Sequence, residues 1–211
     1  MTASPDTDLS AVVRPRTTEL LIPCETTNGV KHLWCTFSSD QVDVNWAEPE
    51  VLLETLRTLH RLLEAGVRWI RLDAGAYAHK RLGTTCVHLE ETHELVRLLR
   101  DLLEWRCPDA LLISETNVPH AENLSYLRDG KQAHLAYNFT LAPLLTHALI
   151  TGSSERITPW LRESEQPPEG TTFLNFLASH DGIGVRPVED LLDESEIETL
   201  IAATERANGT W

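Results

Sequence analysis

Basic residues are scarce in this chain. Lys and Arg number 18 against 32 Asp and Glu, a formal charge of −14 over 211 residues. Nucleic-acid binding leans on clustered Lys and Arg, so the balance argues against such a partner. It does not argue against a small anionic substrate, which a few local arginines hold. Long apolar runs are missing as well: none approaches the roughly 18 residues that a membrane helix needs. The start, MTASPDTDLS, is polar and acidic, unlike a signal peptide. Together these absences lead us to expect a cytoplasmic protein with no membrane partner. Four cysteines occur, Cys24, Cys35, Cys86 and Cys107, with no CxxC pair, the pattern of reduced structural thiols. Cys86, His88 and His93 lie close together in CVHLEETH, but not at a zinc spacing, so no metal is expected. HDGIG lacks the third glycine of a dinucleotide fingerprint, and the P-loop pattern is missing, which weakens a nucleotide-binding reading.

What is present is alternation. Residues 1–11 read as a loose leader and 11–46 as irregular chain with short strands. From there EPEVLLETLRTLHRLLEAG carries Leu52, Leu56, Leu59 and Leu63 at helical spacing and stops at Gly66. A buried strand is expected over 67–73, with Val67, Trp69, Ile70 and Leu72 apolar. A helix over 90–106 follows, with Leu95, Leu98, Leu99 and Leu102 on one face. Strands are expected at 110–115, 133–139 and 172–181, with helices over 141–150, 154–164 and 194–207. Strand and helix alternate about four times, which implies α/β architecture with a parallel sheet and helices outside it. We expect residues 1–45 to be a separate leader and 46–211 to be one α/β domain.

Three expected strands end in acids: Asp73, Glu115 and Asp181. Taken singly, each reads equally well as a helix N-cap or a solvated loop residue. In parallel α/β folds, however, the carboxyl ends of the strands carry the active site. Consecutive barrel strands are neighbours, so the carboxyl groups of Asp73 and Glu115 are expected roughly 5 Å apart, the spacing of a retaining glycosidase pair. Arg71 shares a strand face with Asp73 and would keep it ionised and oriented, as a nucleophile requires. Glu115 follows apolar LLIS and faces Asp73; both raise its pKa and suit a general acid. His180 and Asp181 are placed to grip sugar hydroxyls.

IRLDA, ISETN and FLASHD resemble the signature stretches of glycoside hydrolase family 13, the α-amylase family, and QVDVN resembles a further motif. KRLGTTCVHLEETHELVRLLR, ETNVPHAENLSYL and TTFLNFLASHDGIGVRP resemble the sucrose phosphorylase group within it, which includes sucrose 6'-phosphate and glucosylglycerate phosphorylases. The resemblance runs from residue 12 to about 205. It implies a partial (β/α)8 TIM barrel of about four βα units, the fourth to the seventh, preceded by the tail of an inserted domain. It implies Asp73 as nucleophile, Glu115 as acid/base and Asp181 as transition-state stabiliser, with Arg71 and His180 as substrate contacts. The implied chemistry transfers glucose from an α-glucoside such as sucrose, sucrose 6'-phosphate or glucosylglycerate to inorganic phosphate, through a β-glucosyl-enzyme intermediate and without a cofactor. Arg14, Arg16 and Arg186 read either as phosphate contacts or as free surface charges. The family's third-strand motif, Asp followed by Asn-His, is absent, and His79 stands where the family often has an aromatic residue. The chain alone is therefore not expected to turn over. A hydrolytic, amylase-like enzyme and a non-catalytic half barrel that associates with itself through open sheet edges remain alternatives.

Overall fold

The computed structural model describes residues 2–4 and 6–210. The chain forms two compact units. One holds the residues up to Arg68 together with Gly75–Leu95; the other holds Trp69–Ala74 together with the residues from Val96 onward.

In the first unit, β1 (Thr2–Ala3), β2 (Leu21–Thr26) and β3 (Gly29–Trp34) form an antiparallel sheet in the order β1-β3-β2. The short strands expected in this stretch pair as a hairpin, β2 with β3. Gly29, at φ 92°, takes the left-handed turn position that side chains disfavour. Trp34 is buried with Leu20 and Cys86. Its indole donates to Thr36 Oγ1 (3.1 Å), and Thr36 donates from its amide (2.9 Å) and its hydroxyl (2.6 Å) to Asp43. The Lys80 ammonium, almost fully buried, lies 2.7 Å from the Asp43 carboxylate. QVDVN therefore contributes a paired, hydrogen-bonded interior charge, the condition under which burial of a charge is tolerated. Helix α1 (Pro49–Glu64) buries Leu63 and half-buries Leu52, Leu56 and Leu59, the expected stripe. Gly66 (φ 91°) ends it, and its amide donates to the Leu63 carbonyl (3.0 Å).

In the second unit, β4 (Trp69–Leu72), β5 (Leu111–Ser114), β6 (Leu135–Tyr137) and β7 (Thr172–Leu174) form a parallel sheet in chain order. Helix α2 (Glu90–Arg106) links β4 to β5. Its stripe in this unit is Val96, Leu99 and Leu103, all buried, while Leu98 faces outward; the apolar face is rotated from the expected one. Helices α3 (His120–Leu124), α4 (Leu141–Thr151), α5 (Ile157–Glu163) and α6 (Glu194–Arg206) complete the unit. Leu144, Ile157, Trp160, Val188, Leu192 and Leu200 form one core cluster. Asp193 and Glu196 make a reciprocal capping box at the start of α6.

All four strands of this sheet are shorter than the sequence led us to expect, and the first and the last bear on the site. The first starts at Trp69 because the Val67 amide is spent on the Leu62 carbonyl (3.0 Å). It is not buried on both faces: among the described residues it pairs with β5 alone, and Trp69 is 58% exposed. The last stops at Leu174, since β6 offers it only three paired positions. Residues 175–181 leave the ladder, so Asp181 does not end a strand.

Leu144 is fully buried in its cluster. Leu144→Ala is expected to cost about 2–5 kcal/mol. Urea unfolding followed by circular dichroism measures it, and an unmoved midpoint would contradict this core.

Candidate active site

The candidate site lies wholly within the second unit. Parallel pairing aligns the carboxyl ends of its strands. Leu72 is opposite Ser114, so Asp73 and Glu115 are the next residues on adjacent strands. The Glu115 amide extends the ladder by one bond, to the Leu72 carbonyl (3.1 Å). Ala74 then adopts φ 46°, a left-handed conformation that costs an alanine roughly 1–2 kcal/mol. In that conformation its amide donates to Glu115 Oε2 (2.7 Å).

Arg71 joins the two acids. Its Nη1 donates to Asp73 Oδ1, and its Nη2 lies 3.8 Å from Glu115 Oε1. The two carboxylates differ in surroundings: the Asp73 side chain is 74% exposed, that of Glu115 only 13%. Burial pushes the Glu115 carboxyl above the ordinary range; the Ala74 amide and Arg71 oppose this, and the negative charges of Asp73 and Asp181 reinforce it. Burial alone would lower the Arg71 pKa, but Glu115 and Asp73 outweigh it and the net shift is upward.

His180 and Asp181 sit side by side in an exposed turn, His180 Nε2 3.1 Å from Asp181 Oδ2. The Asp181 amide donates to Ser179 Oγ (3.2 Å). Asp181 thus stands near enough to act on Glu115 electrostatically, but from a loop rather than a strand end. His79, Arg14 and Arg16 belong to the first unit. Arg186 opens a single 3-10 turn, Arg186–Val188, in the second.

Residues that the motif reading passed over complete the site. The Arg71 guanidinium lies 5.6 Å from the centre of the Tyr137 ring, and Tyr137 packs with Phe139 and Phe176. The buried Asn123 donates to the Tyr137 carbonyl (2.7 Å) and accepts from Thr116 Oγ1 (2.7 Å). The available signal was an aromatic residue at or just past the end of two successive strands, in AYNF and LNF.

No protein-family model matches the chain. The glucosylglycerate phosphorylase of Allomeiothermus silvanus is 48% identical over 202 residues, which cover 95% of this chain and 36% of that protein. The Escherichia coli K12 glucosylglycerate phosphorylase is 45% identical over 204 residues, covering 96% and 36%. The sucrose phosphorylase of Agrobacterium vitis is 34% identical over 187 residues, covering 82% and 35%. The crystal structure of sucrose 6F-phosphate phosphorylase from Thermoanaerobacter thermosaccharolyticum superposes with a TM-score of 0.80 at 22% identity, over 94% of this chain and 40% of that one. The fold is that of a TIM-barrel enzyme, present here as a partial barrel. The chain is a homologue of part of the sucrose and glucosylglycerate phosphorylases, in the fold of glycoside hydrolase family 13, and spans about a third of the length of the relatives it matches. Among the described residues no helix is long and apolar enough to cross a membrane.

A carboxyl whose folded pKa is raised favours folding below its unfolded pKa, and that contribution is lost as pH rises through the folded value. Ionised Glu115 therefore opposes folding at neutral pH. Glu115→Gln is expected to raise the urea midpoint at pH 7, with the gain disappearing in acid. A variant less stable than the parent at pH 7 would contradict the electrostatics of this site.

Proposed function

We propose that this chain carries the reacting carboxylates of a retaining α-glucosyl phosphorylase. The observation that carries the reading is the pairing of an exposed and a buried carboxylate through one arginine at the ends of adjacent parallel strands. Similarity to glucosylglycerate and sucrose phosphorylases supports the substrate class.

Asp73, solvated and held by Arg71, attacks the anomeric carbon of the α-glucoside. Glu115, whose burial favours the protonated form, donates its proton to the departing oxygen. The products are the leaving alcohol and a β-glucosyl ester on Asp73. An inorganic phosphate oxygen then attacks the anomeric carbon from the opposite face, and its bond to Asp73 breaks to release the carboxylate. Glu115, now ionised, accepts the phosphate proton, and α-glucose 1-phosphate leaves with its configuration retained. Asp181 accepts hydrogen bonds from sugar hydroxyls as positive charge develops on the ring, and His180 contacts the same sugar. Glucosylglycerate is the donor that the similarity favours, with sucrose or its 6'-phosphate next. A phosphate-consuming reaction suits the cytoplasmic location expected from the sequence.

Turnover on this reading also needs barrel strands that the relatives contain beyond the matched stretch. The test grafts this chain into the Allomeiothermus silvanus enzyme in place of its matched segment. With glucosylglycerate and phosphate, the graft is expected to form glucose 1-phosphate, and Asp73→Asn to lower kcat by at least about a thousandfold, as loss of a nucleophile does. A folded but inactive graft, or an active Asp73→Asn graft, would overturn the assignment.

The solvent-exposed Trp69 on β4 favours a second reading, in which copies of this chain associate through that strand. Light scattering of the isolated chain decides: a monodisperse monomer would remove it.

A further inference from the structure

Arg71 is a long side chain reaching toward two acids, and one of them is solvated. An exposed ion pair holds such a side chain weakly, because water competes and the rotamers are many. Something else must fix the guanidinium. Tyr137 lies beneath it, 5.6 Å from ring centre to guanidinium carbon, within cation–π range. The ring is itself braced. Phe139 stacks with it at 5.6 Å and 23°, and Phe176 meets it edge-on at 5.4 Å and 71°. Phe139 and Phe176 touch each other at 5.2 Å and 86°, closing a three-ring cluster.

The backbone beneath the rings is equally tied. The Tyr137 carbonyl accepts from Asn123 Nδ2, whose own oxygen is taken by Thr116 Oγ1. Asn138 Nδ2 donates to Asn175 Oδ1 (2.9 Å), linking the two loops that carry Phe139 and Phe176. Every group that places Tyr137 is therefore held by a second group, and the charged residue rests on top.

We propose that Tyr137 is a positioning residue: its braced ring is the platform that holds the Arg71 guanidinium between Asp73 and Glu115. The geometry stands by itself; only the catalytic consequence rests on the function proposed above. Loss of the ring frees Arg71 to follow the exposed Asp73 into water. Glu115 then loses the charge that opposes its burial, and its titration midpoint rises. The contact is to the face of the ring, so phenylalanine is expected to serve in place of tyrosine.

Nuclear magnetic resonance of the isolated chain tests this without requiring turnover. In the parent, Arg71 guanidinium protons are expected to be shifted upfield by the ring and to show cross-relaxation with Tyr137 ring protons. Absence of both would overturn the proposal, whatever the variants do. Tyr137→Phe is expected to keep the parent Glu115 midpoint, and Tyr137→Leu to raise it by about half a pH unit while erasing the upfield shift. An unchanged midpoint in a folded Tyr137→Leu chain, or a Tyr137→Phe chain that behaves like Tyr137→Leu, would also overturn it. In the grafted enzyme, Tyr137→Leu should lower kcat and move the alkaline limb of the kcat/KM profile upward, with Tyr137→Phe restoring both. An inactive graft with the resonance signature intact would remove the catalytic reading and leave the platform standing.

Discussion

One guanidinium serves two carboxylates, and the rest of the site depends on how it is shared. Arg71 donates to Asp73 and stands at ion-pair distance from Glu115. Were the two acids equivalent, the arginine would hold both ionised and neither would have a proton to give. Burial breaks the symmetry. Glu115 sits at the end of a strand whose preceding residues are half-buried or buried, and its charge is opposed by lost hydration more than it is relieved by Arg71. Asp73 lies in solvent, one residue past an edge strand. Two identical functional groups thereby acquire different chemistry, which is the usual way that one site gains both an acid and a nucleophile.

That asymmetry rests on backbone geometry. The register of β4 on β5 makes the two acids neighbours, and parallel pairing sends both to the same end. Ala74 bends into the left-handed region, and its amide meets Glu115. Strain of this sort persists where the surrounding structure overdetermines it, and it clusters where function needs a fixed group. Further along the sheet, an aromatic cluster stands at the ends of β6 and β7. It supplies a surface for Arg71 instead of another charge.

Much of this was legible in the chain. Alternation of helical and extended patterns located every strand of the parallel sheet, since buried strands must be apolar and helices must be amphipathic. The acids at 73 and 115 stood out because a charge ending an apolar run demands an explanation. What was not legible depended on neighbours in space. Trp69 reads as a core residue but lies on an edge strand, and apolarity does not tell how many partners a strand has. The stretch TFLNFLASHD reads as one strand because its apolar residues continue. It stops at Leu174 because β6 is short, so His180 and Asp181 stand in a turn. The Val96 face of α2 was missed by following leucines alone. Tyr137 carried no motif, and its meeting with Arg71 is a matter of tertiary packing.

The most direct measurement of the central claim is stereochemical. The proton spectrum of the first glucose 1-phosphate formed by the grafted enzyme reports its anomeric configuration before any equilibration. Two successive displacements, with Asp73 bonded to the sugar between them, predict the α-anomer from an α-glucoside. Formation of the β-anomer would mean a single displacement by phosphate, with no ester on Asp73, and would contradict the roles assigned to both carboxylates.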